Sequence, residues 1–207
     1  MFLGRRTPVT TLLLLAIVAM FVVETVRGGS TNTRVLLALG ADYPPLVQQG
    51  EYWRLVTSLF LHVGVLHLVL NGWALYQLGG LFEILLGSGR LLLVYFVSGI
   101  AGSIASNLFT QSLSAGASGA IFGVMGAIIA FLLKRRESLT PQAKSLLMQL
   151  VLWAGINVFL GFSTPGIDNA AHLGGCAAGF AIGLLLKDRP RYRSEPAGLA
   201  EPAGPGL

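Results

Sequence analysis

Six long apolar segments, joined by short loops that carry most of the charge, constrain the fold of this chain more than any other feature. Hydrophobic residues make up 54% of its 207 residues and charged residues only 11%, and the mean hydropathy is +0.72. A soluble domain of this length could not bury so much apolar surface. The sequence therefore predicts an all-α protein that is embedded in a lipid bilayer.

The six segments predict six transmembrane helices in one domain, residues 1–187. The first follows a basic pair and is interpreted as a retained anchor, because no small-residue cleavage site follows it. Residues 27–52 are too broken to span and are expected to lie partly in the membrane interface. The tail, 188–207, is rich in Pro, Gly, Ala and charge, which predicts a disordered segment. The spans are expected at about 8–26, 53–81, 91–109, 118–133, 145–162 and 169–186.

Lysine and arginine are distributed unevenly between the two sides of this arrangement. With the amino terminus inside, only Arg27, Arg34 and Arg54 fall outside, against eleven basic residues inside. The positive-inside rule then places both termini, and with them the disordered tail, in the cytoplasm. We expect an integral multi-pass protein of the bacterial cell membrane. The net charge of +5 is explained by this topology, so no nucleic-acid partner is expected.

Three polar side chains fall at about the same depth in three different spans. Ser118 begins the short fourth span, about 16 residues or roughly 24 Å from the basic cluster that starts at Lys134. His172 lies about 15 residues before Lys187, and His67 about 16 residues from the inner end of its own span. Polar groups inside a membrane are costly. Their common depth predicts one site toward the outer face.

Small residues on two of these spans would allow the polar groups to meet. Gly175 and Gly179 lie on the helix face of His172, and Gly119 begins a similar row after Ser118. Asn71 follows His67 by four residues, so the two share a face. Each residue alone is explained as well by packing or by a backbone hydrogen bond. Their combination favours a site with a serine nucleophile.

These residues resemble the rhomboid family of intramembrane serine proteases. The resemblance rests on four motifs that occur in family order: Trp53-Arg54, His67-xxx-Asn71, Gly116-Ala117-Ser118-Gly119 and Ala171-His172-xx-Gly175-xxx-Gly179. It implies a six-helix bundle around a water-filled cavity. It also implies that Ser118 is the nucleophile, that His172 is the general base, and that membrane proteins are the substrates.

The same resemblance assigns further roles. The oxyanion would be bound by the side chains of His67 and Asn71 and by the backbone N–H of Ser118, and Phe122 would pack on the catalytic imidazole. Substrates would enter near the second and fifth spans, with the fifth as a mobile gate. No third acid is expected, and Asp168 is interpreted as a solvated charge at the start of the sixth helix. The supporting residues would be Gly116, Gly119, Phe122, Gly175, Gly179, Trp53, Arg54 and Glu83.

Three other interpretations are weaker. A catalytically silent relative that only binds membrane proteins would be expected to lack Ser118 or His172. A transporter using the histidines as relays would need acidic residues inside the bundle, and the spans have few. A zinc site of His62, His67 and His172 lacks a carboxylate or thiol to complete it, so neither a metal nor another cofactor is expected. The sequence leaves the oligomeric state open.

Overall fold

The computed structural model describes residues 7–164 and 166–187, so the predicted tail, 188–207, lies outside the described residues. The described part is all-helical, with no β-strand and one isolated β-bridge. Its ten α-helices are α1 Pro8–Val26, α2 Thr33–Leu39, α3 Pro44–Gln48, α4 Arg54–Thr57, α5 Gly64–Ala74, α6 Gly80–Leu86, α7 Ser88–Phe109, α8 Ser118–Leu133, α9 Pro141–Ser163 and α10 Asn169–Leu185.

Among the described residues, four helical segments are long and apolar enough to cross a membrane: α1, α7, α9 and the continuous segment Gly64–Leu86. That segment consists of α5 and α6 joined by a π-helical turn, Leu75–Gly79. Two further apolar helices, α8 with 16 residues and α10 with 17, are shorter than these spans. Such an assembly of apolar helices is that of an integral membrane protein.

The helix of the second predicted span begins at Gly64, whereas the sequence suggested a start near residue 53. Gly64 has a φ of +82°, a left-handed conformation that a helix passing through it could not contain. The preceding apolar residues instead form α4 and a short 3₁₀ turn, Ser58–Phe60. They belong to a folded first loop whose core includes Leu36, Ala41 and Leu61.

The best-packed part of the molecule is formed by α7, α8 and α10. In α8, 13 of the 16 residues are buried. Gly179 lies so close to the Gly123 carbonyl, and Gly175 to the Gly119 carbonyl, that a Cβ at either glycine would collide with it. One turn further, a Cβ at Gly183 would come within 2.6 Å of the Ala127 oxygen. The backbones of α8 and α10 are therefore in direct contact along the length of the two helices.

α9 lies at the periphery, and Leu150 is its one buried residue among 23. Near its carboxyl end, the Asn169 side chain of α10 donates a hydrogen bond of 3.1 Å to the Val158 carbonyl. Gly161 allows this approach, because a Cβ there would collide with the Asn169 amide. The end of the bundle formed by Ser118, the start of α10 and the end of α9 is called the Ser118 end below.

Candidate active site

The first loop holds the segment that leads into Ser118. Asp42 and Ser114 exchange two backbone hydrogen bonds of 2.9 and 2.8 Å, and the Gly116 N–H donates to the Ser58 carbonyl at 2.9 Å. Gly116 has a φ of +137°, which turns the chain into α8 and which a side chain would not tolerate. Ser118 is the first residue of α8. Its position is therefore fixed by contacts on both sides.

The structure brings Ser118 and His172 together. His172 Nε2 lies 3.0 Å from Ser118 Oγ, and the histidine is 8% exposed. The Phe122 ring stacks on the imidazole, with ring centroids 4.2 Å apart and planes 7° from parallel. Within the described residues, His172 Nδ1 has no hydrogen-bond partner. The imidazole is thus oriented by packing, with Nε2 close enough to Ser118 Oγ to accept a proton from it.

Asp168, which precedes α10, does not contact the imidazole nitrogens. One carboxylate oxygen accepts a 3.0 Å hydrogen bond from the Ala171 N–H and so caps α10, as a charge at a helix start would. The other accepts a hydrogen bond from Ser106 Oγ of α7. Asp168 is therefore less solvated than the sequence suggested and joins two helices at the Ser118 end.

His67 and Asn71 lie on α5, beside the segment that precedes Ser118. A Cβ at Gly116 would come within 2.8 Å of His67 Nε2, so the imidazole edge faces this glycine directly. Asn71 is buried, and its Nδ2 donates to the His67 carbonyl at 3.0 Å. The structure places His67 against the segment two residues before Ser118, with Asn71 one helical turn further along α5.

A small cavity adjoins Ser118. Its walls include Ser114 and Gly116 of the preceding segment, Ser58 of the first loop and Ser103 of α7. Ser103 Oγ also donates to the Leu55 carbonyl at 3.2 Å. The Ser118 hydroxyl thus has polar surroundings within an otherwise apolar bundle.

The supporting residues Trp53, Arg54 and Glu83 do not line this cavity. Arg54 is buried, forms a 2.7 Å ion pair with Glu51, and donates to the carbonyls of Leu37 and Ala41. The Trp53 ring lies 4.6 Å from the Arg54 guanidinium and is half-exposed. These contacts hold the first loop in its fold.

Glu83 joins three helices at the opposite end of the bundle. Its carboxylate accepts hydrogen bonds from the backbone N–H groups of Val9 and Thr10 in α1, each at 2.9 Å. The hydroxyls of Thr10 and Ser88 also donate to it, at 2.8 and 2.7 Å.

Asp42 is a site-supporting residue that sequence reasoning missed. It is 1% exposed and accepts two hydrogen bonds from Asn107 Nδ2, at 2.7 and 2.9 Å. The pKa of Asp42 is raised to about 6, chiefly by burial and also by the charge of Asp168, against the lowering effects of Asn107 and Arg54. The partners are 65 residues apart in the chain, so no local motif indicates the pair.

No group of three or more His, Cys, Asp or Glu side chains in 7–164 and 166–187 is placed to hold a metal ion. His62 and His67 do lie close together, with ring centroids 5.2 Å apart. His62 is fully buried.

Comparison with known proteins places the chain among rhomboids. A family model described as the Rhomboid domain matches residues 49–189. Rhomboid protease GluP of Bacillus subtilis (strain 168) is 43% identical over 180 residues, 86% of this chain and 35% of that protein. RHOMBOID-like protein 6, mitochondrial, of Arabidopsis thaliana is 42% identical over 166 residues, 79% of this chain and 53% of that protein. The chain thus spans about half the length, or less, of these relatives.

Proposed function

Because the chain belongs to the rhomboid family, we propose that it is an intramembrane serine endopeptidase whose nucleophile is Ser118 and whose general base is His172. The observation that carries this proposal is the 3.0 Å separation of Ser118 Oγ and His172 Nε2 across two helices in backbone contact. That distance is short enough for direct proton transfer.

In the proposed reaction, His172 Nε2 takes the Ser118 hydroxyl proton as Oγ attacks the carbonyl carbon of the scissile peptide bond. The tetrahedral intermediate collapses, the C–N bond breaks, and the leaving amine receives the proton from Nε2. Water then hydrolyses the acyl-enzyme by the same route. The stacked Phe122 ring limits rotation of the imidazole between its two tasks.

In the tetrahedral intermediate, negative charge would develop on the oxygen of the substrate's scissile carbonyl, which would lie beside Gly116. The proposed donors are the backbone N–H of Ser118, which begins α8 and so has no partner within the helix, and the side chains of His67 and Asn71. Each preorganised donor contributes on the order of 3 kcal/mol to transition-state stabilisation. The position of His67 against Gly116 supports this role.

The proposed substrates are transmembrane or juxtamembrane segments of other proteins in the bilayer. A substrate helix must unwind locally, because its carbonyls are engaged in hydrogen bonds. We further propose six spans, with α8 and α10 as the short fourth and sixth. Both termini would be cytoplasmic, and the Ser118 end would face the extracytoplasmic side of a bacterial cell membrane. The charge asymmetry of the loops supports this orientation.

A catalytically silent, membrane-protein-binding role is not favoured. Both Ser118 and His172 are present, and they are within hydrogen-bond distance.

The proposal is tested with purified protein in proteoliposomes that contain a transmembrane substrate. Ser118→Ala and His172→Ala should each lower kcat/KM by at least about 10³-fold. Ser112→Ala, an exposed serine of the same segment, is the matched control and should retain wild-type cleavage. Cleavage at the wild-type rate by Ser118→Ala would overturn the proposal.

A further inference from the structure

His67 can bind an oxyanion through Nε2 only if that nitrogen carries the ring proton. The Val63 N–H donates to His67 Nδ1 at 3.3 Å. A neutral imidazole that accepts at one nitrogen has its proton on the other. The Val63 N–H therefore selects the tautomer in which Nε2–H faces Gly116, the side on which the oxyanion would form.

This hydrogen bond also closes the start of α5. Val63 is the N-cap residue and provides no side-chain cap. The histidine ring, four residues on, binds the N-cap N–H instead. The tautomer of His67 thus depends on the conformation of the His62–Val63 turn.

A fully buried acid from the first helix holds this turn. Glu24 of α1 is 0% exposed, and its Oε1 accepts a 2.9 Å hydrogen bond from the His62 N–H. The His62 ring is held as well, since its Nδ1 lies 3.3 Å from the Phe60 carbonyl, to which it can only donate. Residue 62 is therefore fixed at its backbone and at its ring, which directs the following N–H toward His67.

Burying a carboxylate inside a helix bundle is costly. Glu24 Oε2 has no hydrogen-bond partner among the described residues. The hydrogen bond to the His62 N–H, 38 residues away in sequence, thus accounts for an acid at this position.

We propose that Glu24 is a positioning residue for the oxyanion site: by binding the His62 N–H, it sets the turn whose Val63 N–H keeps the proton of His67 on Nε2. This inference rests on the oxyanion role proposed for His67. It gives α1, which contributes no residue to the Ser118–His172 pair, a specific part in the reaction.

The direct test is the tautomer of His67, read from ¹⁵N side-chain spectra of histidine-labelled protein in micelles. The chain has three histidines, so the spectrum is simple to assign by substitution. The wild-type protein should have His67 protonated at Nε2. A proton on Nδ1 would overturn the proposal without any variant, and this reading does not depend on whether Ser118 is the nucleophile.

Variants then connect the tautomer to Glu24. Glu24→Gln retains an acceptor and should keep the His67 tautomer and a kcat within about twofold of wild type. Glu24→Leu should give a mixture of the two His67 tautomers. It should lower kcat by roughly tenfold to a hundredfold with KM unchanged, the larger decrease being that expected when one oxyanion donor is lost. Thr25→Val, which removes an exposed hydroxyl that donates to the Phe21 carbonyl of its own helix, is the matched control and should change neither the tautomer nor kcat.

Val63→Pro deletes the N–H itself at a φ of −82°, close to the range of proline. It should reproduce the Glu24→Leu effects, and it decides the case if the leucine variant does not fold. Wild-type tautomer and kcat in Val63→Pro would overturn the proposal. A loss of kcat in Glu24→Leu with the tautomer unchanged would also overturn it, because Glu24 would then act only through stability.

Discussion

The two helices α8 and α9 follow one another in sequence but differ sharply in packing. α8 buries 13 of its 16 residues and contacts α10 backbone to backbone, whereas α9 buries one residue of 23. The Ser118–His172 pair joins the two tightly packed helices, α8 and α10. A catalytic pair must be held within a fraction of an ångström, while an entry route for another protein must open. In the protease we propose, α8 and α10 would meet the first requirement, and α9 would meet the second.

The largest effect is expected where a side chain is forced between α8 and α10. Gly179→Ala puts a Cβ against the Gly123 carbonyl, and neither backbone can yield, so the variant should lose about 3 kcal/mol or more of stability and its activity. Gly155→Ala on α9 is the matched control, because a Cβ there meets nothing within 4 Å. Unfolding measurements in micelles compare them, and equal stabilities would refute the contrast.

The next effect concerns movement of α9 away from α5. The Trp73 and Trp153 rings lie 6.3 Å apart and join the two helices. In a Cys176→Ala background, a bifunctional crosslinker between Trp73→Cys and Trp153→Cys should reduce cleavage of a transmembrane substrate by at least about tenfold, because α9, the gate that the family resemblance implies, could not move away from α5. Each single cysteine variant, treated alike, is the control. Unimpaired cleavage by the crosslinked protein would show that substrates do not enter between α5 and α9.

A smaller effect is expected at Asp42, whose backbone hydrogen bonds to Ser114 hold the segment that leads into Ser118. Its pKa in the folded state is about 6, above the ordinary 3.8, so the stability gained by protonation is fully present below about pH 4 and is lost as the pH rises through about 6. This group should make the protein more stable at pH 4.5 than at pH 7.5 by on the order of 2 kcal/mol.

Asp42→Asn should flatten that pH profile, measured by thermal unfolding across the range. Glu137→Gln, an exposed acid in the loop after α8, should leave it unchanged. A profile equally steep in Asp42→Asn would mean that another group titrates.

The smallest effect is expected at the hydrogen bond that joins the sparsely packed α9 to α10. Asn169→Ala removes the hydrogen bond to the Val158 carbonyl, worth about 1 kcal/mol, and should speed amide exchange in residues 158–163 by about fivefold. Exchange in α8 should not change. Asn157→Ala is the control, because its amide donates to the Trp153 carbonyl of its own helix. A uniform rise in exchange across α8 and α9 would remove the distinction between the two helices.

The close packing of α10 against α8 could be predicted from the sequence, because the small residues that allow it recur at regular spacing along a single helix. Gly175 and Gly179 recur on the face of His172, so their spacing alone predicts close approach to another helix. The depth count likewise placed Ser118 and His172 at one level. Both inferences need only the 1.5 Å rise of a helix and the thickness of a bilayer.

The first loop and its contacts had no such signal. Asp42 with Asn107 and Glu24 with His62 are single pairs separated by 65 and 38 residues. Neither pair belongs to a periodic pattern, so only the folded chain brings the partners together. One helix boundary does have a signal in the sequence. Thr140 followed by Pro141 is an N-cap and a first-turn proline, and this pair marks the start of α9 four residues before the predicted span.

The proposed nucleophile is identified most directly by the site of covalent labelling by a fluorophosphonate, located by mass spectrometry of the purified protein. We expect one adduct, on Ser118, that is absent in Ser118→Ala and forms at least about 10³-fold more slowly in His172→Ala. Labelling that survives Ser118→Ala, or an adduct on another residue, would contradict the assignment of Ser118 as the nucleophile.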